Sequence, residues 1–252
     1  RAGKPNQKGA RIAVIHGIGP VGRGSNGFDP IFGGGPTMGS KTVAGALREA
    51  IDDPEVKAII FRVSSPGGSY VASDTIWRET VRAKTLGKPV IVSMGNLAAS
   101  GGYFVAMHAA KIVAQPGTIT GSIGVLGGKM LTRKLFEKLG VTYDAVKSAA
   151  NADMFSDIDD FSAHGWQRFQ SWLDRVYVDF TAKVADGRGL PLEKVLSIAK
   201  GRILTGEEAK AIGLVDELGG WSVALRLARE SAGLAADAKI ELRTYPAEKS
   251  LF

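Results

Sequence analysis

A chain of 252 residues is long enough for one large domain or two small ones and can bury a substantial core. Hydrophobic residues make up 44%, no apolar run approaches the roughly 20 residues of a membrane-spanning helix, and the absence of cysteine excludes thiol nucleophiles, thiolate metal sites and disulfides. The net charge of +7 comes from scattered basic residues without runs or interleaved aromatics, a solvated surface that argues against a nucleic-acid partner and leaves weak attraction to an anionic membrane open.

The first residues, 1–10, read as a linker without the apolar stretch of a signal peptide, so the chain is expected to be part of a longer precursor. "RIAVIHGIGPV" (11–21) is a predicted strand, and the glycine-rich 20–39 that follows reads as a long loop, functional or disordered. "SKTVAGALREAIDD" (40–53) has helical spacing with Ser40 as a plausible N-cap. "VKAIIFRVSS" (56–65) is the second strand, and 70–87 is a helix ending at a glycine. "KPVIVSM" (88–94) and "AKIVAQ" (110–115) are further strands, with "VTYDAVKS" (141–148) a weaker fifth. The last third is helical: 166–189, then 205–213 with Thr205 and Glu208 at capping-box spacing, then 221–233. Strands alternating with helices predict parallel βαβ construction. No boundary is visible inside a single domain over 11–240, and 241–252 reads as a tail.

Three glycine-flanked segments follow strand ends: "SSPGGS" (64–69), "AASGGY" (98–103) and "TGSIG" (120–124). Ligands of open α/β sheets bind at the carboxyl ends of the strands, so these turns predict a cleft with exposed backbone N–H groups. Gly67 and Gly68 are the turn that could present an oxyanion hole, or a turn that needs Pro-Gly-Gly for conformation alone. Ser100 is expected at a helix N-terminus among residues too small to crowd it, which suits a nucleophile and equally a helix cap. The pattern suggests a nucleophile elbow, although G-x-S-x-G is absent.

A serine nucleophile needs a base, and the chain has three histidines. His16 lies inside the first strand and His164 in an exposed stretch. His108, two helical turns past Ser100, would be about 12 Å away. The other route is a lysine neutralised by burial, for which Lys147 at the end of "YDAVK" is the candidate. No histidine and carboxylate cluster has metal-ligand spacing, and neither a P-loop nor a dinucleotide fingerprint is present, so no metal or cofactor is expected.

Taken together, "VKAIIFRVSSPGGS", "GKPVIVSMGNLAASGGYFVAM", "KIVAQPGTITGSIGV" and "RILTGEEAKAIGLVDELGG" resemble the signal peptide peptidase A family (protease IV), across most of residues 11–220 and in the same order. The resemblance implies the α/β Clp-protease/crotonase fold: repeated ββα units, a mostly parallel sheet flanked by helices, and a helical C-terminal third. It implies a membrane-associated serine endopeptidase that degrades released signal peptides with a Ser-Lys dyad and no metal. By position it implies Ser100 as nucleophile, Gly67 and Gly68 as the oxyanion turn, Gly101 beside the nucleophile, and Ser122 as the serine bonded to the catalytic lysine.

Single-domain members place that lysine a few residues beyond a Lys-Ser dipeptide, where this chain has "AANAD" (149–153). Tandem members resemble two copies of the domain, with serine from the second and lysine from the first. This chain resembles a second copy, so the base is Lys147 or a lysine of another domain. The implied partners are signal peptides, a homo-oligomeric ring or an N-terminal sister domain, and a bacterial inner membrane reached through a segment outside this chain, with the domain on the extracytoplasmic side. The competing readings are a crotonase-type acyl-CoA hydratase or hydrolase without a serine nucleophile, and a non-catalytic scaffold half of an oligomeric protease.

Overall fold

The computed structural model describes residues 9–29 and 34–247. The linker 1–8, part of the glycine-rich 20–39 and the last five residues lie outside these. In chain order the elements are β1 (Ala10–Ile18), β2 (Val21–Gly22), β3 (Gly27–Asp29), β4 (Gly35–Gly39), α1 (Ser40–Asp52), β5 (Val56–Ser65), α2 (Tyr70–Thr85), β6 (Val90–Ala99), α3 (Gly101–Phe104), β7 (Lys111–Ala114) and β8 (Ile119–Gly121). They continue with α4 (Arg133–Lys138), α5 (Ala163–Arg188), α6 (Leu192–Ile198), β9 (Ile203–Thr205), α7 (Gly206–Ala211), β10 (Glu217–Leu218), α8 (Trp221–Ser231) and β11 (Ile240–Tyr245).

The chain divides into two compact units, one comprising residues up to Gly124 and from Phe180 on, the other Val125–Asp179. The first holds the sheet, in the order β10-β7-β6-β5-β1-β11, with every neighbouring pair parallel. β8 continues parallel to the end of β6, and β9 pairs antiparallel to β8. This is the mixed α/β, mostly parallel architecture expected of the chain. Its central strands are apolar on both faces because both are covered. Ile12, Ala58, Ile60, Ile91 and Val113 pack with Ala224, Leu227 and Ala228 of α8 on one face. Ala13, Ile15, Ile59, Phe61 and Val63 are buried on the other, the side on which α1 approaches the sheet. The second unit carries α4, the first part of α5 and an aromatic cluster in which Phe161 stacks on Phe169 at 5.0 Å.

Four expectations change. The described part of 20–39 is not structureless: β3 and β4 pair antiparallel and β2 joins β4. The N-cap of α1 is Gly39 and not Ser40, which is the first helical residue, and the Lys41 N–H is served by the Gly24 carbonyl instead of a side chain. Residues 141–148 form no strand: Val141, Tyr143 and Val146 are exposed, and β propensity without a neighbouring strand to pair does not hold an extended segment. Residues 241–245, at the start of the stretch read as a tail, belong to β11, which pairs with β1. The capping box at Thr205 and Glu208 forms as its spacing predicts.

β11 is held by chemistry as well as by its ladder. Tyr245 Oη donates to Asp53 Oδ2 at 2.6 Å, and Arg11 Nη1 donates to the same oxygen at 2.9 Å. The tyrosine hydrogen bond foremost, with the Glu55 N–H and Arg11, holds the Asp53 carboxyl down at about 2. A depressed carboxyl stabilises the fold above its unfolded value, about 3.8, and that contribution is lost as pH falls toward 2. Urea midpoints measured between pH 5 and pH 2 are expected to fall more steeply for the native chain than for Asp53→Asn. Parallel curves would contradict the lock.

Candidate active site

β6 ends in two small residues, Ala98 and Ala99, and the chain turns at Ser100 into the single helical turn of α3. Ser100 has φ 53° and ψ −121°, a conformation costly for any residue but glycine, of order 1–3 kcal/mol. It persists because its neighbours fix it. Its N–H donates to the Gly121 carbonyl at 2.9 Å, and its own carbonyl accepts from Tyr103 and Phe104 N–H at 2.9 and 2.8 Å. Tyr103 and Phe104 are buried, the Tyr103 hydroxyl donating to the Leu214 carbonyl at 2.9 Å, so the turn is anchored from below. Ser100 itself stays half-buried. The helix behind it is shorter than the sequence suggests, so strain and packing, more than a helix dipole, set this serine apart.

The glycines of "SSPGGS" press against it. A Cβ at Gly67 (φ +100°) would stand 2.8 Å from Ser100 Cβ and 2.6 Å from Gly101 N, so only glycine lets the two turns touch. Gly67 N–H is engaged, donating to Ser65 Oγ at 3.1 Å. Gly68 is different. Val21 of β2 donates to the Gly67 carbonyl and accepts from Ser69 N–H, both at 2.8 Å. Alternation along an extended segment then turns the Gly68 N–H away from Val21. On that other side is Gly101, where a Cβ would lie 3.1 Å from Gly68 N and 2.6 Å from Ser73 Oγ. Gly101 N–H opens α3 and has no acceptor inside the helix. Two backbone donors, Gly68 and Gly101, therefore flank the Ser100 turn. Ser65, Ser73 and Val21 escaped sequence reading; "SSPGGS" contained the first, while the pairing of Val21 with a glycine 47 residues on left no local signal.

Ser122 follows Gly121, the residue whose carbonyl holds Ser100 N–H. It too has a positive φ, 47°, and its N–H donates to the Arg202 carbonyl at 2.7 Å. Lys147 belongs to the second unit. Its side chain is 45% exposed and its Nζ lies 2.5 Å from Asp153 Oδ2. That ammonium is the first cause holding the Asp153 carboxyl below its usual range. The burial on which the base reading depends is thus missing at Lys147.

The histidines offer no substitute. Trp77 Nε1–H donates to His108 Nδ1 at 2.8 Å, so Nε2 carries the proton and donates to Asp186 at 2.9 Å. Both nitrogens are committed, and burial keeps the ring below its ordinary pKa. His164, exposed in the second unit, contacts Asn151 and Arg168. His16 projects from the sheet beside Arg62. Among the described residues no group of three or more His, Asp or Glu side chains could hold a metal ion, and no helix is long and apolar enough to cross a membrane.

A strained serine at a strand-to-helix turn, with the Gly68 and Gly101 N–H groups beside it on a parallel sheet, is the geometry that a serine hydrolase site requires. The fold matches a ClpP1 variant from Listeria monocytogenes with a TM-score of 0.51 at 15% identity, over 84% of this chain and 94% of that one. The model of peptidase family S49 matches residues 82–235. Protease 4 of Salmonella typhi is 41% identical over 230 residues, which are 91% of this chain and 36% of that protein. The chloroplastic serine protease SPPA of Arabidopsis thaliana is 35% identical over 237 residues, 92% of this chain and 34% of that protein. The chain belongs to peptidase family S49. It spans about a third of the length of these two relatives.

Proposed function

We propose that residues 11–240 are the nucleophile-bearing domain of an endopeptidase that cleaves extended apolar peptides such as released signal peptides. The observation that carries this reading is the strained Ser100 turn packed between Gly67 and Gly101. Ser100 Oγ attacks the peptide carbonyl carbon as its proton passes to a neutral lysine amine. The oxyanion is held by Gly68 and Gly101 N–H, with Gly67 keeping the two turns in contact. The lysine then protonates the departing amine, and water hydrolyses the acyl-enzyme by the reverse proton path. Ser122 orients the lysine, and the substrate lies as an added strand beside the glycine turns.

The base comes from outside this chain, from an N-terminal sister domain or a neighbouring copy in a ring. The exposed, ion-paired state of Lys147 supports this, as does the greater length of the relatives. The assembly sits at the inner membrane on the extracytoplasmic side, anchored through another segment. In a fluorogenic apolar-peptide assay the full-length protein is expected to cleave at least about 10²-fold faster than this chain alone, the scale of a missing general base. Lys147→Met is expected to leave the full-length rate unchanged. A rate abolished by Lys147→Met would place the base in this chain and overturn that assignment.

A further inference from the structure

α8 covers only part of its sheet face. Strand alternation puts Val14, His16 and Arg62 on the same face as Ile12 and Ile60, beyond the region packed under Ala224 and Leu227. There a cavity of about 490 Å³ opens, within the range that encloses small ligands. It shares no lining residue with the Ser100 turn.

Its charge is one-sided. Arg62 is its charged lining residue, and no carboxylate lines it. Burial first, and then the neighbouring guanidinium, hold His16 below its ordinary pKa, so it adds a neutral imidazole. Arg62 Nη1 is fixed by the Ser93 hydroxyl at 2.9 Å and the Met94 carbonyl at 2.7 Å. Both acceptors are neutral, so among the described residues the guanidinium has no anionic partner, and two of its bonds already set its orientation. At the wall, α8 begins at Gly220 without a side-chain cap, adding the positive end of an eleven-residue helix. A Cβ at Gly220 would stand 2.8 Å from the Gln115 amide nitrogen, so the glycine admits that amide to the cavity. The remaining wall is apolar, with Leu242, Val14 and the 37%-exposed Trp221. A rigid guanidinium, a helix N-terminus and an amide beside an apolar wall match a carboxylate attached to a peptide unit with an apolar side chain. An aliphatic acid would leave Gln115 and the Thr244 hydroxyl without a role.

We propose that this cavity binds the free C-terminal carboxylate of an apolar peptide. The inference rests on the peptidase reading for its ligand class: each hydrolysis at Ser100 releases a peptide with a new C-terminal carboxylate, so the site senses product. The test is calorimetric titration of the Ser100→Ala chain with an N-acetylated hexapeptide ending in leucine, as the acid and as the amide, and with hexanoate. The acid is expected to bind at one site per chain, with the amide and hexanoate at least about tenfold weaker, the scale of a charge-assisted contact. Arg62→Gln is expected to weaken the acid at least about tenfold, to the level of the amide. Trp221→Ala, which keeps Arg62, is expected to weaken it several-fold.

Equal affinity for acid and amide, hexanoate binding as tightly as the peptide acid, or wild-type affinity in Arg62→Gln would each overturn the proposal. If Arg62→Gln does not fold, unchanged affinity in Trp221→Ala overturns it alone. Failure of the peptidase reading would show separately, as loss of Ser100 reactivity in the native protein.

Discussion

Replacing Ser100 by alanine is expected to abolish peptide hydrolysis, lowering kcat by on the order of 10⁴-fold or more, the scale seen when a serine nucleophile is removed. The substitution takes away only the hydroxyl. The turn survives, because its N–H to the Gly121 carbonyl and the bonds from Tyr103 and Phe104 to its own carbonyl are backbone contacts. Circular dichroism and the melting temperature are therefore expected to stay at native values. Ser100→Gly sharpens the point. At φ 53° a glycine relieves the strain that serine bears, so this variant is expected to be inactive and more stable by about 1 kcal/mol. An inactive variant that is also less stable would mean the serine is a structural element of the turn.

Gly67→Ala has the second largest expected effect, and it acts on geometry. The new methyl would meet the Gly101 nitrogen at 2.6 Å, Ser100 Cβ at 2.8 Å and the Ala99 carbonyl oxygen at 3.0 Å, at a φ of +100°. Two of these neighbours are backbone, so one turn must retreat from the other. A stability loss of about 2–3 kcal/mol is expected. A shift of a few tenths of an ångström between Ser100 and the Gly68 donor is expected to lower kcat/KM by about 10²-fold in the folded fraction. Gly45→Ala, in α1 with open space around its Cβ, is the control: it is expected to raise stability by about 0.5–1 kcal/mol and leave activity unchanged. Native kcat/KM in Gly67→Ala would show that the contact between the turns does not position the site.

Which parts of this structure are visible in the sequence follows from which are locally determined. β1, β5, β6 and β7 are legible because strands buried on both faces must be apolar throughout. α7 is legible because its capping box is a four-residue device complete in itself. β11 is not, because "IELRTY" becomes a strand only when β1 lies beside it. The stretch 141–148 fails in the opposite sense: its alternation is strand-like, and no partner strand meets it. At the site, the glycine turns advertise close approach, yet the division of labour within them depends on partners far away in sequence. Gly67 N–H is spent on Ser65, and Val21 orients Gly68 from across the turn. Its position makes Lys147 the candidate base within this chain, but its surroundings keep it exposed and paired with Asp153, and no pattern in 141–153 foretells that.

The central claim is that Ser100 is the nucleophile. Intact-mass and peptide mass spectrometry of the native full-length protein after treatment with a fluorophosphonate tests it most directly. The account predicts one adduct on the peptide containing Ser100, none in Ser100→Ala, and a slower reaction in Gly67→Ala. An adduct on another serine, or none while peptide hydrolysis persists, would contradict it.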